Sequence, residues 1–425
     1  MPPRSHELTP PARGHVRLFQ GHQFLDRFAA GLTTVAAVLA LQGRGLDVGQ
    51  IGALFATYAA VAMAAELPFG GLADGIGRKP VFLLAVAASL AASLLFILSA
   101  AFWPLAASFA LVGLGRALRS GTLDAWYVEG LRERAPDAPL QPLLARAQAA
   151  GFAGLGLGAV AGGLLPGLVP GNAPGAPFMG RTVYDVSYAA GFLVTLGVLA
   201  YTALLIQEPP RPLGAGAALR VARAVPETIR DGARLAISDP ALRLLLFALA
   251  LMLFATNPVE VLWPTVIQTV LAPERAAAAV GLLSAAYPLA IALRAPVADR
   301  IGRRVDRRDA TTLGTVLTGL VLCQIALAWQ GTLWGFAGAF LAFSVMLGLA
   351  ESPAASLLHA HSPDDRRSTV LSVQSLMKQL GAMAGLLVLG GIGERTGVPA
   401  AWTAGAAALG VAAILAFALS SRLHR

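Results

Sequence analysis

Gly70-Gly71-Leu72-Ala73-Asp74-Gly75-Ile76-Gly77-Arg78-Lys79 and Ala295-Pro296-Val297-Ala298-Asp299-Arg300-Ile301-Gly302-Arg303-Arg304 are two copies of one short pattern, set 225 positions apart. Asp74, Gly77 and Arg78 recur as Asp299, Gly302 and Arg303, and Lys79 is matched by Arg304. Each copy follows one long apolar segment and precedes another. Each therefore reads as a tight, charged turn between two membrane-crossing helices, and the chain as a duplicated object. An internal repeat in so hydrophobic a chain points to a secondary transporter.

Composition leads to the membrane without any motif. Of the 425 residues, 56% are hydrophobic and only 13% charged, with a mean hydropathy of +0.67, far from the mixture of a soluble domain. A helix crosses about 30 Å of hydrocarbon in roughly 20 residues. Twelve apolar stretches near that length occur, six before and six after a polar stretch around residues 207–240. They are apolar all round rather than alternating, which excludes barrel strands. The expected fold is an all-α integral membrane protein with twelve transmembrane helices in two pseudo-symmetric six-helix bundles around a central cavity. The expected boundaries are residues 1–206, a cytoplasmic linker at 207–240, and residues 241–425.

The net charge of +9 follows topology rather than a nucleic-acid partner. With the amino terminus inside, 22 of the 32 Lys and Arg residues fall in cytoplasmic loops and tails. Only Arg44, Arg181, Arg275 and Arg395 fall in outer loops. This positive-inside distribution puts both termini in the cytoplasm of a cell that carries the chain in its plasma (inner) membrane. Cys323 is the only cysteine, so no intramolecular disulfide forms. The first apolar segment, interrupted by Asp26 and Arg27, is expected to be retained as the first helix and not cleaved. A second echo of duplication is Gly113-Leu114-Gly115-Arg116 against Gly348-Leu349-Ala350-Glu351.

The decapeptide from Gly70 to Lys79 resembles the motif between helices 2 and 3 of the major facilitator superfamily. Glu66-Leu67-Pro68-Phe69 and Ser120-Gly121-Thr122-Leu123-Asp124-Ala125-Trp126 resemble its bacterial drug/proton antiporter-type efflux members. The fifth segment, with Gly154, Gly158, Gly162 and Gly163, is similar to the antiporter motif of that branch, with Ala159 where the motif has a proline. Arg116 lies five residues before Gly121, where the family's helix 4 arginine lies four before its glycine. The resemblance implies alternating access, and a gating role at the cytoplasmic face for Asp74, Arg78 and Lys79. By duplication it extends that role to Asp299, Arg303 and Arg304. Gly70, Gly77 and Gly302 let the chain turn sharply, and Glu66 and Arg294 fall near the same ends as braces. The alternative for these basic residues is plain topological anchoring.

Ionisable groups inside a bilayer are costly and mark functional positions. If the first helix starts near Val16, ten residues at 1.5 Å put Asp26 roughly 15 Å deep, close to the midplane. His22 lies one turn earlier on the same face. The two form a proton-coupling candidate, because burial favours the neutral form of a carboxyl group. The alternative is a structural pair between Asp26 and Arg116 or Arg119. Glu260 is the second proton-coupling candidate, in a seventh segment that also carries Asn257-Pro258 and Trp263-Pro264. Proline there either opens a transport site or merely kinks the helix. Arg27, Arg116, Arg119, Asp124, Asn257, Glu351, Gln374 and Lys378 are cavity candidates. Lys378 can neutralise an anionic cargo or pair with a carboxylate. His359 and His361 diverge on a helix and lack a third ligand, so no metal site is expected.

These readings converge on a proton-coupled exporter of small apolar or amphipathic compounds. It is expected to work as a monomer in a lipid bilayer, with protons and a small-molecule substrate as partners and no cofactor. A phosphate-binding loop of the G-x-x-x-x-G-K-[ST] type does not occur in the sequence. The nearest alternative is a proton-coupled importer of an organic anion or sugar. A non-transporting sensor or an integral-membrane enzyme stands further off, since the six histidines are scattered.

Overall fold

A computed structural model describes residues 8–70, 72–120, 122–169, 182–208, 239–271, 273–292, 309–362 and 367–422. The described residues form helices joined by short connections. In chain order these are α1 (Pro10–Gly43), α2 (Val48–Gly70), α3 (Leu72–Ile76), α4 (Arg78–Leu98), α5 (Phe102–Arg119), α6 (Thr122–Arg134), α7 (Leu140–Leu164) and α8 (Asp185–Leu205). There follow α9 (Pro240–Val270), α10 (Pro273–Ala292), α11 (Asp309–Ala328), α12 (Leu333–Ala360), α13 (Arg367–Thr396) and α14 (Val398–Arg422).

Every expected apolar segment is helical, and ten helices among the described residues are long and apolar enough to cross a membrane. The other two are the fourth and eighth segments. The eighth, α10, is helical over Pro273–Ala292, and its stretch Arg275–Tyr287 is apolar. The fourth is not one helix as expected. It breaks at Ser120, where the backbone leaves the helical region (φ −55°, ψ 114°), and resumes as α6. Large apolar side chains such as Leu84, Leu98, Leu193, Leu322 and Ile414 face outward, the surface that lipid tails accept. Trp103, Trp329 and Trp334 are 78%, 69% and 85% exposed at or beside helix ends, where amphipathic rings anchor a span.

Two compact units are distinguished: residues 1–40 with 64–223, and residues 41–63 with 224–425. In the first, α7 lies against α1 along a seam of glycines. A Cβ on Gly154, Gly158 or Gly162 would come within 2.2, 2.2 and 2.5 Å of the carbonyl oxygens of Phe24, Phe28 and Leu32. Only residues without side chains let two backbones approach so closely. Thus the antiporter-like stripe of the fifth segment is a packing surface for the first.

The second unit repeats that seam. A Cβ on Gly381 or Gly385 of α13 would come within 2.1 and 2.0 Å of the Ala250 and Phe254 carbonyl oxygens of α9. Phe254 O is also the carbonyl that Pro258, lacking an N–H, leaves without its intrahelical donor. Both Pro258 and Pro264 lie inside α9, which runs unbroken for 31 residues. Of the two readings of these prolines, an opened helix is not what α9 shows: it stays continuous through both. The N-terminal half of α2 belongs to this unit too, with Gly52 against Leu386 O of α13. Side chains cap the starts of α9 and α2. Asp239 accepts from Ala241 N and Leu242 N at the start of α9. Asp47 and Gln50 cap α2 reciprocally.

Candidate functional site

In the second unit, four ionisable side chains gather from four helices. Glu260 lies 20 residues into α9, Tyr287 in the C-terminal half of α10, Glu351 in α12 and Lys378 in α13. The Tyr287 phenol donates to Glu260 Oε1. Lys378 Nζ donates to Glu351 Oε1 at 3.3 Å, with side chains 27% and 56% exposed. Both members of that pair lie within electrostatic reach of Glu260. An aromatic cluster fixes the tyrosine. Its ring lies 6.2 Å from that of Phe340, which packs on Phe336 and, at 4.7 Å, on Trp263. Trp263 stands three residues after Glu260 on α9, hence on the same face. Asn257 and Gln374 are partly buried on the same two helices, α9 and α13.

The first unit holds a different set of pairs. Asp26 Oδ1 meets Arg119 Nη2 at 3.2 Å, and the Arg119 guanidinium lies over the Phe82 ring at 5.7 Å, a favourable cation–π placement. Gln23 donates to Asp124 at 3.2 Å, and Arg27 lies within electrostatic reach of the same carboxylate. Arg116, one turn before Arg119 on α5, is exposed. His22 is only 2% exposed, and its Nε2 is 3.0 Å from Thr202 Oγ1. The Thr202 hydroxyl already donates to Val198 O, so His22 Nε2 carries the hydrogen and donates. The rings of Phe82 and Tyr201 flank it edge-on.

The first decapeptide is built around Gly77, whose φ of +100° is a conformation that L side chains avoid. The short helix α3 occupies the turn, so the loop is more ordered than a simple reversal. Glu208, just beyond α8, accepts from the backbone N–H groups of Arg78 and Lys79 at 3.0 and 2.8 Å. It thus caps the start of α4, where the helix dipole favours negative charge. Arg78 Nη2 donates to Glu129 Oε1 at 2.6 Å, and Lys79 Nζ to Ala203 O at 2.7 Å. Trp126 Nε1 closes the group by donating to Gln207 O at 2.9 Å. Glu66 is partly buried in the last turns of α2. Of Gly70 and Asp74 only the helical backbone is described. The second copy, Asp299, Gly302, Arg303 and Arg304, lies outside the described residues, as does Arg294.

Tyr287, Gln23, Thr202, Glu129 and Glu208 are partners that sequence reasoning did not single out. Glu129 alone carried a readable signal, a carboxylate one turn beyond the Ser120–Trp126 motif.

Apolar outward faces, ten long spans and charges collected inside the helices define a multi-pass α-helical membrane protein. The sequence model of the Major Facilitator Superfamily matches residues 23–273 and 259–424. The chain belongs to that superfamily of membrane transporters. Its fold is shared by the nucleoside transporter NupG, with a TM-score of 0.73 at 15% identity over 97% of this chain and 99% of that one. A bacterial homologue of the human lysosomal transporter Spinster, solved inward-facing and unoccupied, gives 0.72 at 16% identity over 98% of each chain. A mutant of the peptide transporter POT gives 0.71 at 15% identity over 96% of this chain and 94% of that one. At these identities the likeness is one of fold. No curated protein matches in sequence.

Proposed function

We propose that this chain is a proton-coupled secondary transporter that exports small apolar or amphipathic compounds from the cell by alternating access. It works as a monomer in the plasma membrane with both termini in the cytoplasm. The observation that carries the coupling is the Glu260 carboxylate, set two-thirds of the way along a spanning helix and hydrogen-bonded by a neutral phenol. Such a group can gain and lose a proton without stranding a dedicated cation. Asp26 is the weaker carrier, because protonating it would leave the Arg119 guanidinium without its counter-ion. Proton loading at Glu260 favours one state and cargo the other. Arg78 and Lys79, with Glu129 and Glu208 as partners, and Asp74 of the same motif form the first half of the cytoplasmic gate. By sequence duplication, Asp299, Arg303 and Arg304, with Arg294, are assigned to the second half. Export rests on the resemblance of Glu66–Phe69, Ser120–Trp126 and the fifth-segment glycines to efflux members.

The test is ethidium movement in proteoliposomes under an imposed pH gradient. Gradient-driven flux is expected in the wild type and in Asp26→Asn, and is expected to vanish in Glu260→Gln. Coupled flux that survives Glu260→Gln overturns the assignment.

A second reading, import of an organic anion, is favoured by one observation. The Lys378–Glu351 contact at 3.3 Å is longer than the roughly 2.7–2.9 Å of a firm charge-assisted bond. An anionic cargo can therefore displace Glu351 from the ammonium. Benzoate accumulating in the direction of proton entry would decide for import.

A further inference from the structure

Resting on the reading of Glu260 as the proton carrier, we infer that Tyr287 is its positioning residue. The phenol holds the ionised carboxylate in place and sets the proton concentration at which Glu260 loads. A hydroxyl donates more strongly to a carboxylate than to a neutral carboxyl, by roughly twofold in strength. The Tyr287 bond therefore favours the ionised form and delays loading.

The surroundings make this bond dependable. Tyr287 comes from α10 and Glu260 from α9, so the bond ties neighbouring helices. Phe340 flanks the tyrosine ring and Trp263, one turn after Glu260, flanks Phe340, so the phenol arrives preorganised. The other charged groups facing Glu260 are few. Glu351 from α12 and Lys378 from α13 are the charged groups within its electrostatic reach. The other ionisable residues of α10, Glu274 and Arg275, lie in its first turn. The only ionisable residue of α14 is Arg422, at its last turn. With Glu351 and Lys378 already paired to each other, the phenol is the one donor bonded to the carboxylate among the described residues.

The test is an infrared titration of the protonated carboxyl band in the purified full chain, which needs no cargo. Loss of the band in Glu260→Gln assigns it, and a band unchanged by that substitution refutes Glu260 as the carrier. In Tyr287→Phe the midpoint is expected to move to higher pH by about one unit, a tenfold lower proton concentration. Placing 3-fluorotyrosine at position 287 supplies a stronger donor and is expected to move the midpoint the opposite way. That second substitution also serves if the phenylalanine variant fails to fold. If Glu260→Gln removes the band but neither change at 287 moves the midpoint, Tyr287 does not tune the site, and the Glu260 assignment stands. A purely structural tyrosine would alter melting temperature and leave the midpoint in place.

Discussion

Replacing Gly158 by alanine tests the seam between α1 and α7 directly. The added methyl would sit 2.2 Å from the Phe28 carbonyl oxygen and 3.0 Å from its carbonyl carbon, whereas carbon atoms in favourable contact stand roughly 3.5–4.0 Å from their neighbours. No side chain can swing aside, because the opposing atoms are backbone. Relief requires the two helices to separate by roughly 1 Å along a face where Gly154 and Gly162 hold the same close approach. Overpacking of this kind costs about 1–3 kcal/mol, and the better helix propensity of alanine returns up to about 1 kcal/mol. The net loss is about 1–2 kcal/mol. At about 2–4 °C per kcal/mol for domains of roughly 150–250 residues, the Tm should fall by several degrees. Gly197 of α8 is the control, since a Cβ there meets nothing within 4 Å, and its alanine should be neutral or slightly stabilising. Thermal unfolding in detergent, followed by tryptophan fluorescence, reads both. If Gly158→Ala melts with the wild type, or Gly197→Ala falls as far, the seam is not closely packed.

The remaining stability predictions concern charges. Glu208→Ala removes the acceptor for two N–H groups at the start of α4 and should cost about 1–2 kcal/mol, as helix caps do. Glu208→Gln, which keeps one acceptor oxygen but loses the charge, should cost less, and equal losses would show that the carboxylate does not cap. Arg119→Ala should destabilise more than Asp26→Asn, because it leaves a carboxylate without its cation inside a helix bundle. A double-mutant cycle on this partly exposed pair should give a coupling of about 0.5–3 kcal/mol. A coupling indistinguishable from zero would show that the contact is incidental.

Much of the fold could be read from the sequence because bilayer spans leave a strong signal: length, all-round apolarity and charges gathered mostly in turns. The first decapeptide was readable for the same reason, since a turn with Gly77 at positive φ and charges at fixed places leaves a short, recognisable pattern. The break at Ser120 was not, because a helix with two arginines near its end still reads as one apolar run. Candidate acids and bases stood out by their cost in hydrocarbon. Their partners did not. Tyr287 looks like any aromatic packing residue until its hydroxyl is placed on Glu260, and Glu208 looks like the opening of a proline-rich linker until its carboxylate is placed on α4. The second glycine seam was hidden too, because Gly381 and Gly385 lie in a segment that had drawn notice for its lysine and glutamines.

The two units have kept their seams and changed their charges, and the difference bears on the proposed coupling to protons. Glycines of α7 meet carbonyls of α1, and glycines of α13 meet carbonyls of α9, with approach distances from 2.0 to 2.5 Å in both. Helix contact at that distance cannot drift without losing packing on every turn, so it persists through duplication. The ionisable positions answer to no such constraint. Arg116 in α5 corresponds to Glu351 in α12, a reversal of sign at matching places. Asp26 faces a guanidinium that is always charged, and Glu351 faces an ammonium. Glu260 instead faces a phenol, which remains a donor without carrying charge. A carrier must exist both loaded and empty within one cycle. Among these carboxylates, Glu260 is the one whose bonded partner tolerates both forms, and the proposal that the second unit carries the proton rests on that difference.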